Sequence, residues 1–271
     1  MQRLKFTSCM APNAEQVCQA ITRYMGDRLH LNTEFVADIP WQQRECLFDA
    51  GEIQVCWICG LPYVWKADRW PATVELLVAP VPQGDRYQGQ PIYFSDVVVR
   101  QDSPFQSFAD LRGSTWAYNE PRSHSGYLST RAYLARLGET TGYFGRAVES
   151  GAHQRSLQMI LDGMIDASAI DSTVLETELR LNPSLAAQIR VIDTFGPSPA
   201  PPWVVHRTLP PALKAQLRSH FLEMHIDPTG RKILQQGAIA RFVAVTNSDY
   251  NPIREMAQQA RFAPLQQQIS A

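Results

Sequence analysis

A short polar turn near the middle of the chain has the residue types best suited to hold a small anion. Ser123, His124, Ser125 and Gly126 lie where a predicted strand, STWAYNE, ends and a predicted helix, SGYLSTRAYLARLG, begins. The first turn of a helix presents free backbone N–H groups at the positive end of the helix dipole, and each serine adds a hydroxyl donor. The turn therefore indicates an oxyanion site, although a serine at this point can equally serve only as the helix cap.

Two further side chains occupy positions from which they can contact a ligand. Asp171 ends an apolar strand, at the edge where open α/β sheets usually hold ligands, but it can also cap the helix that follows. Tyr63 follows the tripeptide GLP and can offer an aromatic wall or a hydroxyl, or else pack in the core. Trp57 lies inside the apolar strand IQVCWICG, which favours a core position.

Motifs for metal, cofactor or catalytic chemistry are missing from the sequence. Cys56 and Cys59 form a C-x-x-C pair, but strand alternation predicts that their side chains point to opposite faces, and no second pair completes a tetrahedral site. The six histidines lack metal-binding spacing, and we find no nucleophile elbow, phosphate-binding loop or dinucleotide fingerprint. We therefore predict no metal, no cofactor and no enzyme activity.

Strands and helices alternate along the chain before and after the turn. The first sixty residues read as strand LKFTSC, helix AEQVCQAITRYMGDR, strand LNTEFVAD, helix PWQQRECLFDAG and strand IQVCWICG. From YFSDVVVRQDS the pattern restarts and gives strand STWAYNE, its helix, strand GRAVES, helix HQRSLQMILDG and strand MIDASAID. Strands alternating with helices of about a dozen residues predict right-handed crossovers and mostly parallel sheets covered by helices.

The second α/β pattern is bracketed by two strand-like segments, near residues 92–100 and 195–206. They predict a discontinuous first lobe of residues 1–93 and 202–271. Residues 94–201 form an inserted second lobe that carries the turn, with a cleft between the lobes. A length of 271 residues and a hydrophobic fraction of 45% suit two packed lobes of ordinary size.

Charge and hydropathy exclude several kinds of partner. The formal net charge of −1 and pI near 6.6 argue against nucleic acid and anionic membranes, which require a basic surface. No apolar stretch approaches the roughly 18 residues of a membrane span, and no secretory leader is visible. Five cysteines, an odd number, favour free thiols in a reducing compartment. The chain is thus expected in the cytoplasm, or in the periplasm if a leader has been removed. We also expect it to be a monomer.

Beyond the turn, longer segments resemble one known family. The run YFSDVVVRQDSPFQSFADLRGSTWAYNEPRSHSGYLSTRAYL resembles the phosphate/phosphite/phosphonate family of ABC-transporter substrate-binding proteins, which share a Tyr-x-Ser strand, a D-S...L-A-D-L-x-G connector and an S-x-S-G turn. ESGAHQRSLQMILDGMIDASAID is similar to the family's G-x-H, its G-x-x-D-A strand and terminal carboxylate, and QVCWICGLPYV to its G-x-P-Y strand. The resemblance spans most of residues 1–200. It implies a type II periplasmic-binding-protein fold, with two α/β lobes, two crossover strands and ligand in the cleft.

Carried over position by position, the resemblance implies a set of ligand contacts. These are the turn residues Ser123, His124, Ser125 and Gly126, the histidine His153, Tyr93 and Ser95 at the first crossover, and the carboxylate Asp171. His153 can instead be a neutral packing residue at a helix start. Two departures from the family pattern stand out: His124 replaces the usual small residue, and PSPAPPWVV offers no second carboxylate, which disfavours an aminoalkyl ligand.

The resemblance implies a solute-binding protein that closes over a small phosphonate-, phosphite- or phosphate-like oxyanion, for ABC transport or for sensing. Its expected partners are that oxyanion and an ABC permease or a sensor protein. The alternative is an enzyme on the same scaffold, similar to the pyrimidine synthases of thiamin biosynthesis, whose cleft holds a cofactor. That alternative needs a cofactor-anchoring lysine or clustered histidines, and no lysine of this chain lies in a cleft motif.

Overall fold

A computed structural model describes residues 3–139 and 142–265 of the chain. Its strands, in chain order, are β1 (Leu4–Ser8), β2 (Thr33–Phe35), β3 (Val55–Trp57), β4 (Val74–Pro82), β5 (Ile92–Arg100), β6 (Thr115–Tyr118), β7 (Arg146–Glu149), β8 (Ala167–Asp171), β9 (Ile189–Pro199), β10 (Trp203–His206) and β11 (Ile239–Val243). Its α-helices are α1 (Glu15–Leu29), α2 (Trp41–Asp49), α3 (Gly60–Ala67), α4 (Ser129–Arg136), α5 (His153–Leu161), α6 (Ser172–Leu181), α7 (Pro211–Glu223), α8 (Pro228–Gln236) and α9 (Asn251–Gln259). Among the described residues, no helix is both long and apolar enough to cross a membrane.

The packing of these elements divides the chain into two compact units. The first unit comprises the residues up to Ile92 together with Pro199–Asn251. The second comprises Tyr93–Ser198 together with the residues from Pro252 onward. The chain thus passes from one unit to the other three times, at residues 92/93, 198/199 and 251/252.

The first unit is built on a six-stranded sheet in the order β11-β4-β10-β3-β1-β2. β2, β1 and β3 run parallel, as the helical connections predict. β10 lies between β3 and β4 and runs antiparallel to both, and β11 is antiparallel to β4. The sheet is therefore mixed, and the prediction of a mostly parallel sheet was too simple here, because strands from the last third of the chain insert next to those of the first.

Aromatic and aliphatic side chains fill the core of the first unit. Trp203 of β10 is fully buried, and its ring lies 6.5 Å from Phe6 and 5.3 Å from Phe221. Val17 and Ile21, on the face of α1 expected to be apolar, are buried in the same core. Helical periodicity in the sequence thus located the inner face of α1.

The second unit is built on a five-stranded sheet in the order β7-β6-β8-β5-β9. β7, β6 and β8 run parallel, whereas β5 is antiparallel to β8. Both faces of this sheet are covered. Trp116 and Phe108 belong to one core, and Ile160 and Ile170 to a second core.

The segment after Asn251 packs with the second unit, although the sequence analysis assigned residues 202–271 to the first lobe. The Arg131 guanidinium of α4 donates hydrogen bonds to the carbonyl oxygens of Ala260 and Ala263. Ala263 and Leu265 are buried in the core around Phe108. These contacts join residues more than a hundred positions apart, and local sequence patterns carry no signal for them.

Candidate functional site

Three strand ends meet at one edge of the second sheet. Because β7, β6 and β8 are parallel neighbours, their carboxyl ends lie side by side. The chain leaves β6 toward Ser123, leaves β7 toward His153, and ends β8 at Asp171. Ser95, near the start of the antiparallel β5, pairs directly with Asp171. Open α/β sheets bind their ligands at such an edge, so the topology brings residues that are distant in sequence into one candidate site.

The turn itself is a π-helical turn, His124–Leu128, that runs directly into α4. The Leu128 N–H donates to the Ser123 carbonyl, five residues back, at 3.0 Å. π-Helical turns are rare and often occur at functional sites. The sequence predicted a helix start here but not this wider geometry.

Ser123 fills the capping role that the sequence left open. Its Oγ accepts a hydrogen bond from the Gly126 N–H at 3.1 Å, and the side chain is buried. A hydroxyl that accepts one bond still has its own proton to donate. Ser123 can therefore cap the turn and donate to a ligand at the same time.

Ser125 is paired with His153, the first residue of α5. The Ser125 Oγ lies 3.0 Å from His153 Nε2, and both side chains are buried. Burial lowers the pKa of His153 to about 4, so the imidazole is neutral at pH 7. Its Nδ1 has no hydrogen-bond partner among the described residues. The N-cap residue of α5 is an alanine and offers no side-chain acceptor, so the start of this helix lacks a side-chain cap.

The His124 side chain contacts two residues that are distant from the turn in sequence, Ser198 and Tyr93. Its Nε2 lies 2.8 Å from Ser198 Oγ, and its ring centroid lies 6.0 Å from that of Tyr93. The side chain is fully buried, and burial lowers its pKa to about 4. His124 is thus neutral at pH 7, which leaves its imidazole without a charge to attract an anion.

Asp171 caps α6, as one of the two sequence interpretations expected. Its Oδ1 accepts hydrogen bonds from the Thr173 N–H at 2.8 Å, the Thr173 hydroxyl at 2.7 Å and the Val174 N–H at 3.4 Å. Burial raises the pKa of Asp171 to about 6, and nearby Asp96 raises it further against these hydrogen bonds. Asp171 is the one acidic residue in the predicted set, and its charged form repels a second anion.

Asn119, directly after β6, belongs to this edge but was missed by the sequence analysis. A Cβ at Gly126 would lie 2.1 Å from Asn119 Oδ1 and 3.1 Å from His153 Cε1, so a glycine is needed for this close approach. Asn119 Oδ1 is buried without a partner in the described part of the chain, and Ser95 Oγ is in the same state. An asparagine just after a strand was the available signal.

Tyr63 lies in α3 of the first unit. Its hydroxyl donates to Asn247 Oδ1 at 2.8 Å, and its ring packs edge-on against Tyr250 at 4.6 Å. These contacts fit the packing role that the sequence left open, and a contact of Tyr63 with the ligand stays a prediction. Trp57 packs against the core but remains partly exposed, and its indole N–H donates to the Pro201 carbonyl at 2.8 Å.

The cysteine pair departs from the predicted strand geometry. Cys56 lies in β3, but Cys59 lies beyond its end as the N-cap of α3. Cys56 Sγ instead lies 3.8 Å from Cys9 Sγ. Within residues 3–139 and 142–265, no cluster of three or more His, Cys, Asp or Glu side chains suits a metal ion.

Solved structures share this fold closely. A binding protein component of an ABC phosphonate transporter from Pseudomonas aeruginosa superposes with a TM-score of 0.83 at 18% identity, over 96% of this chain and 86% of that one. PhnD1 from Prochlorococcus marinus, solved with methylphosphonate, gives a TM-score of 0.80 at 19% identity, over 95% and 97% of the two chains. The chain therefore has a type II periplasmic-binding-protein fold, as the family resemblance implied.

The family model for the periplasmic substrate-binding protein of ABC phosphonate transporters matches residues 8–250, so this chain belongs to that family. The phosphonates-binding periplasmic protein of Escherichia coli K12 is 25% identical over 212 residues. That match covers 76% of this chain and 61% of the E. coli protein. The resemblance found in the sequence is confirmed, and these matches give no support to the pyrimidine-synthase alternative.

Proposed function

We propose that this chain binds a small phosphonate-, phosphite- or phosphate-like oxyanion at the strand-end edge of its second unit, as the substrate-binding protein of an ABC transporter. The observation that carries the proposal is the convergence of the π-helical turn, the start of α5 and the end of β8 at one edge. Family membership and the methylphosphonate complex of PhnD1 support the class of ligand. The protein captures the anion and does not transform it.

Recognition relies on neutral donors. The predicted site residues of the second unit include no lysine or arginine, and both histidines are neutral when the site is empty. Backbone N–H groups at helix starts, together with hydroxyls, can hold an anion without a formal positive charge. Hydrogen bonds to a charged group contribute about 1.5 to 3 kcal/mol each, so a few of them suffice for micromolar binding.

The protonation of the His153 ring decides which member of the Ser125–His153 pair can donate a hydrogen bond to the anion. If the neutral imidazole carries its proton on Nδ1, the Ser125 hydroxyl donates to Nε2, and only His153 can donate to the anion. If the proton sits on Nε2, Ser125 is free to donate and His153 is not. A protonated His153 allows both donors at once, so an anion that raises its pKa gains a second hydrogen bond.

Asp171 favours a ligand that carries a proton. A protonated oxygen of phosphonate, phosphite or phosphate can donate to a carboxylate, whereas sulfate at neutral pH has only acceptors. The second oxygen of Asp171 makes none of the capping bonds, which all go to Oδ1. We expect the site to prefer hydrogen-bearing oxyanions over sulfate for this reason.

The proposal extends to partners and location. The family places its members in the periplasm with an ABC permease, and this favours the periplasmic alternative for the chain over the cytoplasmic one. A sensor protein as partner remains the second possibility. Lobe closure over the anion, the predicted lobe boundaries and a monomeric state stay predictions.

Isothermal calorimetry and thermal shift with phosphate, phosphite, methylphosphonate, 2-aminoethylphosphonate and sulfate test the proposal. Ligand at a hundredfold excess over Kd is expected to stabilise the protein by about 2.7 kcal/mol. Phosphite or methylphosphonate should bind best, and the aminoalkyl compound and sulfate least. Ser168→Ala is a matched control, because Ser168 is buried in the same sheet and its hydroxyl donates to the Ala117 carbonyl. No binding of any phosphorus oxyanion overturns the proposal.

A further inference from the structure

His124 connects the turn to the places where the chain enters and leaves the second unit. Tyr93 is the first residue of that unit after the passage from Ile92, and Ser198 is the last before the passage to Pro199. His124 Nε2 lies 2.8 Å from Ser198 Oγ, and its ring packs at a tilt of 51° against Tyr93. One side chain of the turn therefore contacts residues at two of the three passages.

The two serine hydroxyls of the turn make other contacts. Ser123 bonds back into the turn at Gly126, and Ser125 bonds to His153 at the start of α5. The imidazole at position 124 is long enough to reach Ser198, whereas a serine or threonine there would end one bond beyond Cβ. The three side chains concerned, Tyr93, His124 and Ser198, are each at most 2% exposed.

Because the contacts of His124 with Tyr93 and Ser198 are tightly packed, they can transmit a displacement of the turn to these two residues. Packed interiors are close to crystalline density, so buried neighbours move together when one is displaced. The His124 carbonyl also accepts a hydrogen bond from the Ser129 N–H, which ties the residue to the start of α4. An anion that draws the turn's N–H groups together therefore acts on the His124 backbone and, through its ring, on Tyr93 and Ser198.

We propose that His124 is a positioning residue that couples occupancy of the turn to the two passage segments around Tyr93 and Ser198. This inference rests on the proposed function, because it requires an anion at the turn. His124 occupies a position where the family pattern has a small residue. Residue 124 acts through its neighbours and need not touch the anion.

Hydrogen exchange measured by mass spectrometry, with and without methylphosphonate, tests the coupling. Peptides covering residues 123–128 report on the turn, and those covering 92–98 and 194–200 report on the passages. At about a hundred times Kd, exchange through openings that require ligand release slows about a hundredfold. The wild type should show this slowing in both regions. His124→Ala, saturated to the same multiple of its own Kd, should keep it at the turn and lose most of it at the passages.

Two matched variants and one rescue sharpen the test. His206→Ala removes another buried histidine bonded to a hydroxyl, at 2.7 Å from Thr208 Oγ1, but in the first unit, and should leave the pattern intact. Ser198→Ala breaks the same contact from its other side and serves if His124→Ala does not fold. His124→Gln, whose amide can still reach Ser198, should restore part of the slowing.

The outcomes separate this inference from the proposed function. Hundredfold slowing at the passages in both His124→Ala and Ser198→Ala overturns the coupling while the binding proposal stands. No slowing at the turn in the wild type, with phosphite and phosphate also inactive, removes the binding proposal and the coupling with it. Loss confined to the passages in the variants supports both.

Discussion

Replacing Ser125 with alanine is expected to weaken both anion binding and the ligand-free protein. The hydroxyl lies 3.0 Å from His153 Nε2 inside a buried pair, so its removal leaves an imidazole nitrogen without a partner. A buried polar group left unpaired costs about 1 to 3 kcal/mol of folding stability. The lost hydrogen bond to the anion costs about 1.5 to 3 kcal/mol of binding, which corresponds to a roughly ten- to hundredfold rise in Kd.

Ser123→Ala provides the comparison within the same turn. Its hydroxyl caps the Gly126 N–H, so the variant should lose about 1 kcal/mol of folding stability. Its Kd for the anion should rise by a factor similar to that expected for Ser125→Ala. His153 keeps its partner in this variant, and its local environment should not change. We therefore expect the two variants to lose similar affinity for the anion but to differ in the stability of the ligand-free protein.

Calorimetry with methylphosphonate and urea unfolding of the ligand-free protein measure the two quantities separately. Ser168→Ala, the buried serine of β8, controls for the loss of a hydroxyl elsewhere in the sheet. Unchanged affinity in Ser123→Ala, Ser125→Ala and the double variant refutes the reasoning, because the anion would then bind away from the turn. A stability loss without an affinity loss assigns both serines a purely structural role.

Three other perturbations give measurable outcomes. Binding should take up protons near pH 6.5, because Asp171, whose pKa is about 6, and the oxyanion share a proton in the complex, and the anion raises the pKa of His153 from about 4. Affinity should therefore fall as pH rises, and Asp171→Asn should remove most of the uptake in calorimetry with two buffers. Gly126→Ala should cost about 1 to 3 kcal/mol of stability by urea unfolding and weaken binding, and a wild-type Kd would contradict the close packing of the turn. Lys66→Met should cost about 3 to 5 kcal/mol, because it removes a buried ammonium that lies 2.9 Å from the Glu45 carboxylate and 2.6 Å from that of Asp49; a loss below about 1 kcal/mol would refute this.

Local sequence patterns predicted the strands and helices that carry the site better than they predicted which elements pack against them. The strand, turn and helix around Ser123 follow from periodicity and a capping serine, and the helix that starts at His153 follows from periodicity. Parallel strand order then predicts that their ends meet at one edge. Residue chemistry singled out the turn, Asp171 and Tyr63, and the family resemblance added His153, Tyr93 and Ser95.

Contacts between distant segments were not predictable from the same patterns. The insertion of β10 between β3 and β4, the packing of residues 252–265 with the second unit, and the Ser198 contact of His124 join parts of the chain far apart in sequence. Periodicity reports which face of an element is buried but not which element covers it. The π-helical turn and the role of Asn119 depend on hydrogen bonds that only the folded chain reveals.

A crystal structure of the protein with methylphosphonate tests the central claim most directly. We expect phosphonate oxygens at hydrogen-bond distance, about 2.7 to 3.1 Å, from backbone N–H groups of residues 123–128 and from the Ser125 hydroxyl or His153. Phosphonate bound elsewhere, with the turn and the start of α5 free of ligand, would contradict the account.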